Sequence, residues 1–310
     1  MRKVSFLVGL LTMLVACKNR SKDNTTFTSE QASAPGYVVS KSSKPTVDDA
    51  FNKYWYQGKA EITSYRLSQA RYGETHQGNA VLIYVTEPFL PKKQVKADYP
   101  NAKNVPVLKL NRTKKFLTGI YPYSLMTSIF SPVNADQPAL KTTFSSQEWC
   151  GQIFVQFNNR KKWEVTARSY FESSGDRNFT LPKDLLEDDV WTKIRIGPKQ
   201  LPTGKKMMIP STEFLTLKHR PIKAYEATIS LEQKGAISTY KIVYPKLQRS
   251  LAIQFQSRFP YTIESWEETQ FGRSGQAPMV TKAIRLKRIK SAYWNRHTTQ
   301  DTHLHKELGL

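Results

Sequence analysis

The sequence predicts a mainly β fold with a minor α component: a large curved antiparallel sheet, an open barrel or two half-barrels, carrying about three short helices. Three observations predict it. After Gly58 the apolar residues recur at period two, most clearly where Ile153, Val155 and Phe157 alternate with Phe154 and Gln156. Turn residues punctuate the runs at short spacing. About thirteen such runs follow one another with few helical patterns between them, which argues against parallel crossover folds.

Taken in order, the chain opens with Arg2 and Lys3 and an apolar run from Val4 to Ala16, ending in Leu14-Val15-Ala16-Cys17. That run is too short to cross a hydrocarbon layer of about 30 Å as a helix, so residues 1–16 read as a signal peptide. The tetrad has the form of a bacterial lipobox, in which Cys17 takes the lipid. Residues 17–45 are polar and lack apolar periodicity, and they read as a flexible tether with an r.m.s. reach of about 30 Å. Lys18 stands where Asp would signal inner-membrane retention, so the expected location is the cell envelope, lipid-anchored at the outer membrane and facing the periplasm.

Residues 46–310 read as one β-rich domain, with room for two lobes dividing near 200. Thr46-Val47-Asp48-Asp49 supplies an N-cap and first-turn acids for a short helix carrying Phe51, Tyr54 and Trp55. Strands are expected near 59–71, 79–87, 105–117, 119–131, 139–147, 150–158 and 162–172. Leu181-Pro182-Lys183-Asp184 signals a second helix with Leu185, Leu186, Val190 and Ile194 on its apolar positions. Further strands are expected near 206–219, 222–233, 236–245, 249–258, 260–268 and 278–292. Lys234-Gly235 marks a hairpin, because Gly supplies positive φ between two alternating runs. Thr298 to Asp301 begins a last short helix that ends near Gly309.

Composition narrows the function classes. The chain has 47 Lys and Arg against 25 Asp and Glu, a formal charge of +22 that loses two with the leader. Residues 92–115 hold eight cations against the single acid Asp98, and residues 269–300 hold seven cations and no acid. Within them Lys92, Lys93, Lys96, Lys282, Arg285, Lys287 and Lys290 are candidate binding residues. Such stretches attract phosphate-bearing surfaces. Anionic lipid, glycolipid or an acidic wall polymer is therefore the expected partner class, besides the membrane itself, and nucleic acid is not expected in the envelope. The alternative is a solvated face with no partner.

Motifs that carry chemistry are sparse. Gly197, Gly204 and Lys205 have the wrong spacing for a phosphate loop. No nucleophile elbow, H-E-x-x-H helix or paired C-x-x-C occurs, and no cofactor or metal is implied. His303 and His305 share one metal only from an extended segment. Cys17 and Cys150 are the only cysteines, so a lone Cys150 is expected to be buried and inert. Two constellations are candidate pockets. Glu148-Trp149-Cys150 joins an acid, a large ring and a thiol at a strand start, with packing as the commoner use. Glu264, Trp266 and Glu268 share one face of a strand, which reads either as acid/base carboxylates or, more commonly, as a solvated charged face.

Tyr54-Trp55-Tyr56-Gln57-Gly58-Lys59-Ala60-Glu61, Arg71-Tyr72-Gly73-Glu74, Ile120-Tyr121-Pro122-Tyr123, Glu148-Trp149-Cys150-Gly151 and Phe259-Pro260-Tyr261 resemble an uncharacterised lipoprotein group from Bacteroidota. The resemblance runs from about residue 50 to the C-terminus. Members of that group often carry the label septum formation inhibitor Maf. True Maf proteins resemble nucleotide pyrophosphatases with an S-x-S-P-R-R motif, whereas Phe130-Ser131-Pro132-Val133 here has neither arginine. The resemblance therefore implies a compartment and a group, and it transfers no catalytic residue. Two functions follow as expectations: a non-enzymatic envelope lipoprotein that binds or scaffolds anionic or amphiphilic components, or a hydrolase of wall or glycan material using carboxylates such as Glu148 or Glu264.

Overall fold

A computed structural model describes residues 48–99, 101–134, 136–272 and 277–310. The expected signal peptide, the expected lipidation site Cys17 and the expected tether lie outside the described residues, as does Arg273. Helix α1 (Asp49–Trp55) begins as its sequence dictates: the Asp48 carboxylate accepts the Phe51 N–H at 2.8 Å, and Phe51 and Trp55 are buried.

A first antiparallel meander follows. It consists of β1 (Ala60–Arg71), β2 (Glu74–Leu90), the short β3 (Val95–Lys96), β4 (Val105–Thr118), β5 (Tyr121–Pro132), β6 (Lys141–Glu148), β7 (Gly151–Asn159), β8 (Trp163–Ser169) and β9 (Arg177–Leu181). After β10 (Leu185–Leu186), α2 (Glu187–Ile196), β11 (Gly204–Ile209) and α3 (Thr212–Leu217), a second meander runs back. Its strands are β12 (Tyr225–Lys234), β13 (Ile237–Tyr244), β14 (Arg249–Gln256), β15 (Ile263–Gln270) and β16 (Met279–Ser291). Strand β16 pairs with β1, so the two meanders form one sheet of 16 strands in the order β10-β11-β12-β13-β14-β15-β16-β1-β2-β4-β5-β6-β7-β8-β9, with β3 beside β2. The sheet is continuous past residue 200. Its two edges, β9 and β10, are consecutive in the chain yet do not pair with each other, which leaves a seam.

Three elements differ from their sequence signals, each for a local reason. The run expected as a strand over 206–219 stops at Ile209, because Pro210 has no N–H to donate, and Thr212–Leu217 coils into α3 with Phe214, Leu215 and Leu217 buried. Helix α2 starts at Glu187 instead of Pro182, since Leu185 and Leu186 are extended and pair in parallel with Met208 and Ile209. Strand β8 ends at Ser169, and the chain turns over 170–176 into β9, which the sequence did not signal.

The sheet's inner face wraps α2, and nine of that helix's ten residues are buried, the acids Glu187, Asp188 and Asp189 among them. Carboxylates inside a protein need partners, and inward positions of the strands supply them. Arg249 of β14 donates to both Glu187 oxygens at 2.6 and 2.7 Å and to Glu268 at 2.8 Å. Arg112 of β4 lies 3.4 Å from Asp188 and 3.5 Å from Glu213, which also accepts from Lys114 at 2.7 Å. Asp189 accepts from the Ser131 hydroxyl and the Ala139 N–H. At the helix's other end Arg195 forks onto Glu61 at 2.6 and 2.8 Å. Burial by itself would raise the Glu61 carboxyl, but the adjacent Arg195 outweighs it and holds the group below its ordinary value. On the outer face, α4 (Thr302–Glu307) precedes Leu308, which joins Ile62, Val81 and Val85 in a small second layer.

Candidate functional site

The registers put the turns after β1, β4, β6 and β8 at one end of the sheet, together with α3 and the loop after it. There the seam is closed below by a core in which Val155, Trp163 and Val165 of the first meander meet Leu186, Ile209, Phe214 and Leu215. Above that core it opens as a cleft of about 280 Å³. Ile153, Val155, Ala167, Leu215 and Ile222 make its walls apolar, and Arg168, Arg177 and Arg220 line it as cations.

The three arginines are not equivalent. Arg168 is tied down, donating to Asn178 Oδ1 at 3.1 and 3.2 Å and lying 3.8 Å from Asp176. Arg177 and Arg220 are exposed and form no ion pair among the described residues. Arg220 is placed by its own backbone, whose N–H closes α3 onto the Leu215 carbonyl at 2.8 Å. His219 beside it adopts φ 49 and sets its ring edge-on to Phe171 at 4.9 Å, so helix end and turn hold each other. None of the residues lining the cleft is Asp or Glu. The arrangement can hold an anionic group against Arg177 and Arg220 with an apolar portion on the walls.

The residues singled out from sequence are not gathered into one pocket, and none of Glu148, Trp149, Cys150, Glu264 and Trp266 lines this cleft. Cys150 is exposed, contrary to the expectation of a buried thiol, because the β6–β7 hairpin ends on it. Glu148 accepts the Cys150 N–H at 2.8 Å and the Tyr170 hydroxyl at 3.0 Å. Hydrogen bonding to Glu148 raises the Cys150 thiol above its ordinary value, the opposite of an activated nucleophile. Trp149 floors no pocket: it is 67% exposed at the edge of the sheet's end, its ring 6.4 Å from that of Tyr121. Gly151 is required there, since a Cβ on it would lie 2.6 Å from the Tyr170 ring.

Trp266 and Glu268 share a strand face, but it points inward and is not the solvated one expected, and Glu264 falls at a bulge that breaks the alternation, so that Ile263 joins Trp266 in the core. Trp266 sits in the core against Tyr65 and Trp191, at 4.8 and 5.1 Å. Glu264 accepts from Arg285 at 2.8 Å, and Glu268 from Arg249. The basic stretches are divided in the same way. Arg112 and Lys114, counted above as surface charge, are interior. Lys92, Lys93 and Lys96 are exposed around β3, at the α1 end. Along β16 a bulge opposite Thr63 and Tyr65 shifts the alternation. Lys282 and Lys287 stay exposed, whereas Lys290 lies 3.4 Å over the Tyr54 ring and donates to the Tyr54 carbonyl. The candidate cations thus do not form one face. His303 and His305 fall on α4, and no group of three or more metal-ligating side chains occurs among the described residues.

Sequence reasoning missed Arg168, Arg177 and Arg220 because each is unremarkable where it stands. The available signals were the Ile209-Pro210-Ser211 break and the His219-Arg220-Pro221 turn, which place two chain reversals beside each other only once the seam exists. No family model, curated protein or solved structure matches the chain.

Proposed function

We propose that this chain is a lipid-anchored envelope protein that binds the anionic head and adjoining apolar portion of an amphiphile, without catalysis. The observation that carries the reading is the seam cleft: apolar walls with Arg177 and Arg220 beside them, neither in an ion pair among the described residues. Its volume of about 280 Å³ is near the lower end of ordinary ligand clefts, roughly 300–1,000 Å³, so it suits part of a lipid. The lipobox at Cys17, Lys18 after it and the resemblance to envelope lipoproteins support the compartment, facing the periplasm at the outer membrane. The hydrolase alternative gains no support from a cleft lined by no carboxylate.

The test is calorimetric titration of the full chain carrying Cys17→Ser with monomeric lysophosphatidylglycerol and lysophosphatidylcholine, below their micelle concentrations. The anionic lipid should bind more tightly. Replacing Arg177 and Arg220 together by Gln should weaken it at least tenfold, since a hydrogen bond to a charged group contributes about 1.5–3 kcal/mol. Equal affinity of the parent for both lipids, or no effect of the double substitution, overturns the reading. Under a high-salt wash, which screens attraction to anionic headgroups, the same Cys17→Ser change should release the protein from membranes, and continued pelleting would show that lipid is not the anchor.

A further inference from the structure

Three successive hairpin tips at the cleft end expose large apolar side chains. Tyr72 lies on the β1–β2 turn, Leu117 and Ile120 flank the β4–β5 turn, and Trp149 is on the β6–β7 turn; their exposures are 60%, 53%, 77% and 67%. They are not scattered. The Tyr121 hydroxyl is 3.2 Å from that of Tyr72, and its ring is 6.4 Å from Trp149. Past Gly151 the row continues through Tyr170 to Phe171, with ring centroids 4.1 Å apart, and Phe171 lines the cleft. The row therefore leads from the tips to the cleft.

The backbone pays for this exposure at Tyr72. That residue has φ 54 and is followed by Gly73 at φ 84, a turn that favours Asn-Gly. Tyr72 is held in place by Arg71, whose guanidinium stacks 4.3 Å from its ring, and by the Tyr123 hydroxyl at 2.7 Å. Strain of this kind at an exposed aromatic tip points to a use outside the fold.

We propose that these tips dock the cleft end onto an anionic lipid bilayer, with Trp149, Ile120, Leu117 and Tyr72 entering the interface. The side-chain chemistry selects that partner. Tyr and Trp have an apolar body and a polar tip suited to the headgroup level. A sugar-stacking platform would use the rings but has no use for Leu117 and Ile120, the latter being the most exposed of the four. Exposed at the same end, Lys115, Arg177, Arg220, Lys223 and Lys246 outnumber the acids Glu74, Glu172, Asp176 and Glu226, which leaves a cationic excess for an anionic surface. The docking deepens the cleft reading, because a mouth facing lipid takes its ligand from the bilayer.

The experiment uses the full Cys17→Ser chain and vesicles of phosphatidylglycerol and phosphatidylcholine bearing bromine on the acyl chains. The readout is the Trp149 contribution to emission, obtained by difference from Trp149→Phe, so that apolar residues before Asp48 do not confuse it. Bromine quenching of Trp149 in anionic vesicles, at least tenfold weaker in partition for Leu117→Ser with Ile120→Ser at an unchanged thermal transition, is the expected result. Absent quenching, or quenching indifferent to that double substitution, overturns the docking. A Trp149 response to soluble wall glycan in place of vesicles also overturns it, in favour of a sugar platform. Vesicles probe the tips and monomeric lysolipid probes the cleft, so the two readings fail separately.

Discussion

Replacing Arg249 by Met tests what holds α2 inside the sheet. Arg249 is 1% exposed and is the cation for both Glu187 and Glu268. Methionine keeps much of the stem and removes the charge, which strands the Glu187 carboxylate, itself 1% exposed. Removing one partner of a buried pair costs about 3–5 kcal/mol, and Glu268 loses the same cation. For a domain of this size roughly 2 °C in Tm accompanies each kcal/mol, so the transition should fall by about 6–10 °C. Urea and thermal unfolding by far-UV circular dichroism provide the assay. Adding Glu187→Leu should recover most of the loss, because the buried charge is then absent altogether. The pH dependence follows the same pair. Burial raises the Glu268 carboxyl, Arg249 outweighs that, and the group is pulled from 4.5 to about 2. A depressed carboxyl stabilises the fold above its unfolded value, so this contribution is present at neutral pH and is lost as pH falls from about 4.5 towards 2. Asp189 opposes it: burial raises that carboxyl, so its protonation in acid favours the folded state. If Arg249→Met unfolds within about 1 kcal/mol of the parent at pH 7, the interior ion pairs do not hold the helix as argued.

Two further outcomes follow. Gly151→Ala should destabilise by about 1–3 kcal/mol in urea unfolding, since its Cβ would meet the Tyr170 ring at 2.6 Å; an unchanged midpoint would mean the ring moves freely. Along β16, Lys282→Gln and Lys287→Gln should each leave stability within about 0.5 kcal/mol, whereas Lys290→Gln should cost about 1–2 kcal/mol through loss of the Tyr54 carbonyl and ring. Equal effects at Lys287 and Lys290 would contradict the bulge that separates them.

The sequence by itself determined the local elements. Period-two alternation, an N-cap within Thr46–Asp49, the Lys234-Gly235 hairpin and a cap at Thr298–Asp301 each depend on contacts within a few residues, and the structure has Asp48 as that N-cap, the hairpin and a Thr298–Asp301 cap. The tertiary structure decided which side of a strand is inside. Arg112 and Lys114 read as surface charge, because alternation tells two faces apart without saying which one will wrap a helix bearing Glu187, Asp188 and Asp189. A single extra residue in β16 then carried Lys290 to Tyr54 and left Lys287 in solvent, a shift that no local pattern marks. The cleft is furthest from the sequence, since Ile153 and Arg177 meet Leu215 and Arg220 only where two unpaired sheet edges face each other, and an unmade strand pairing leaves no signature in either strand.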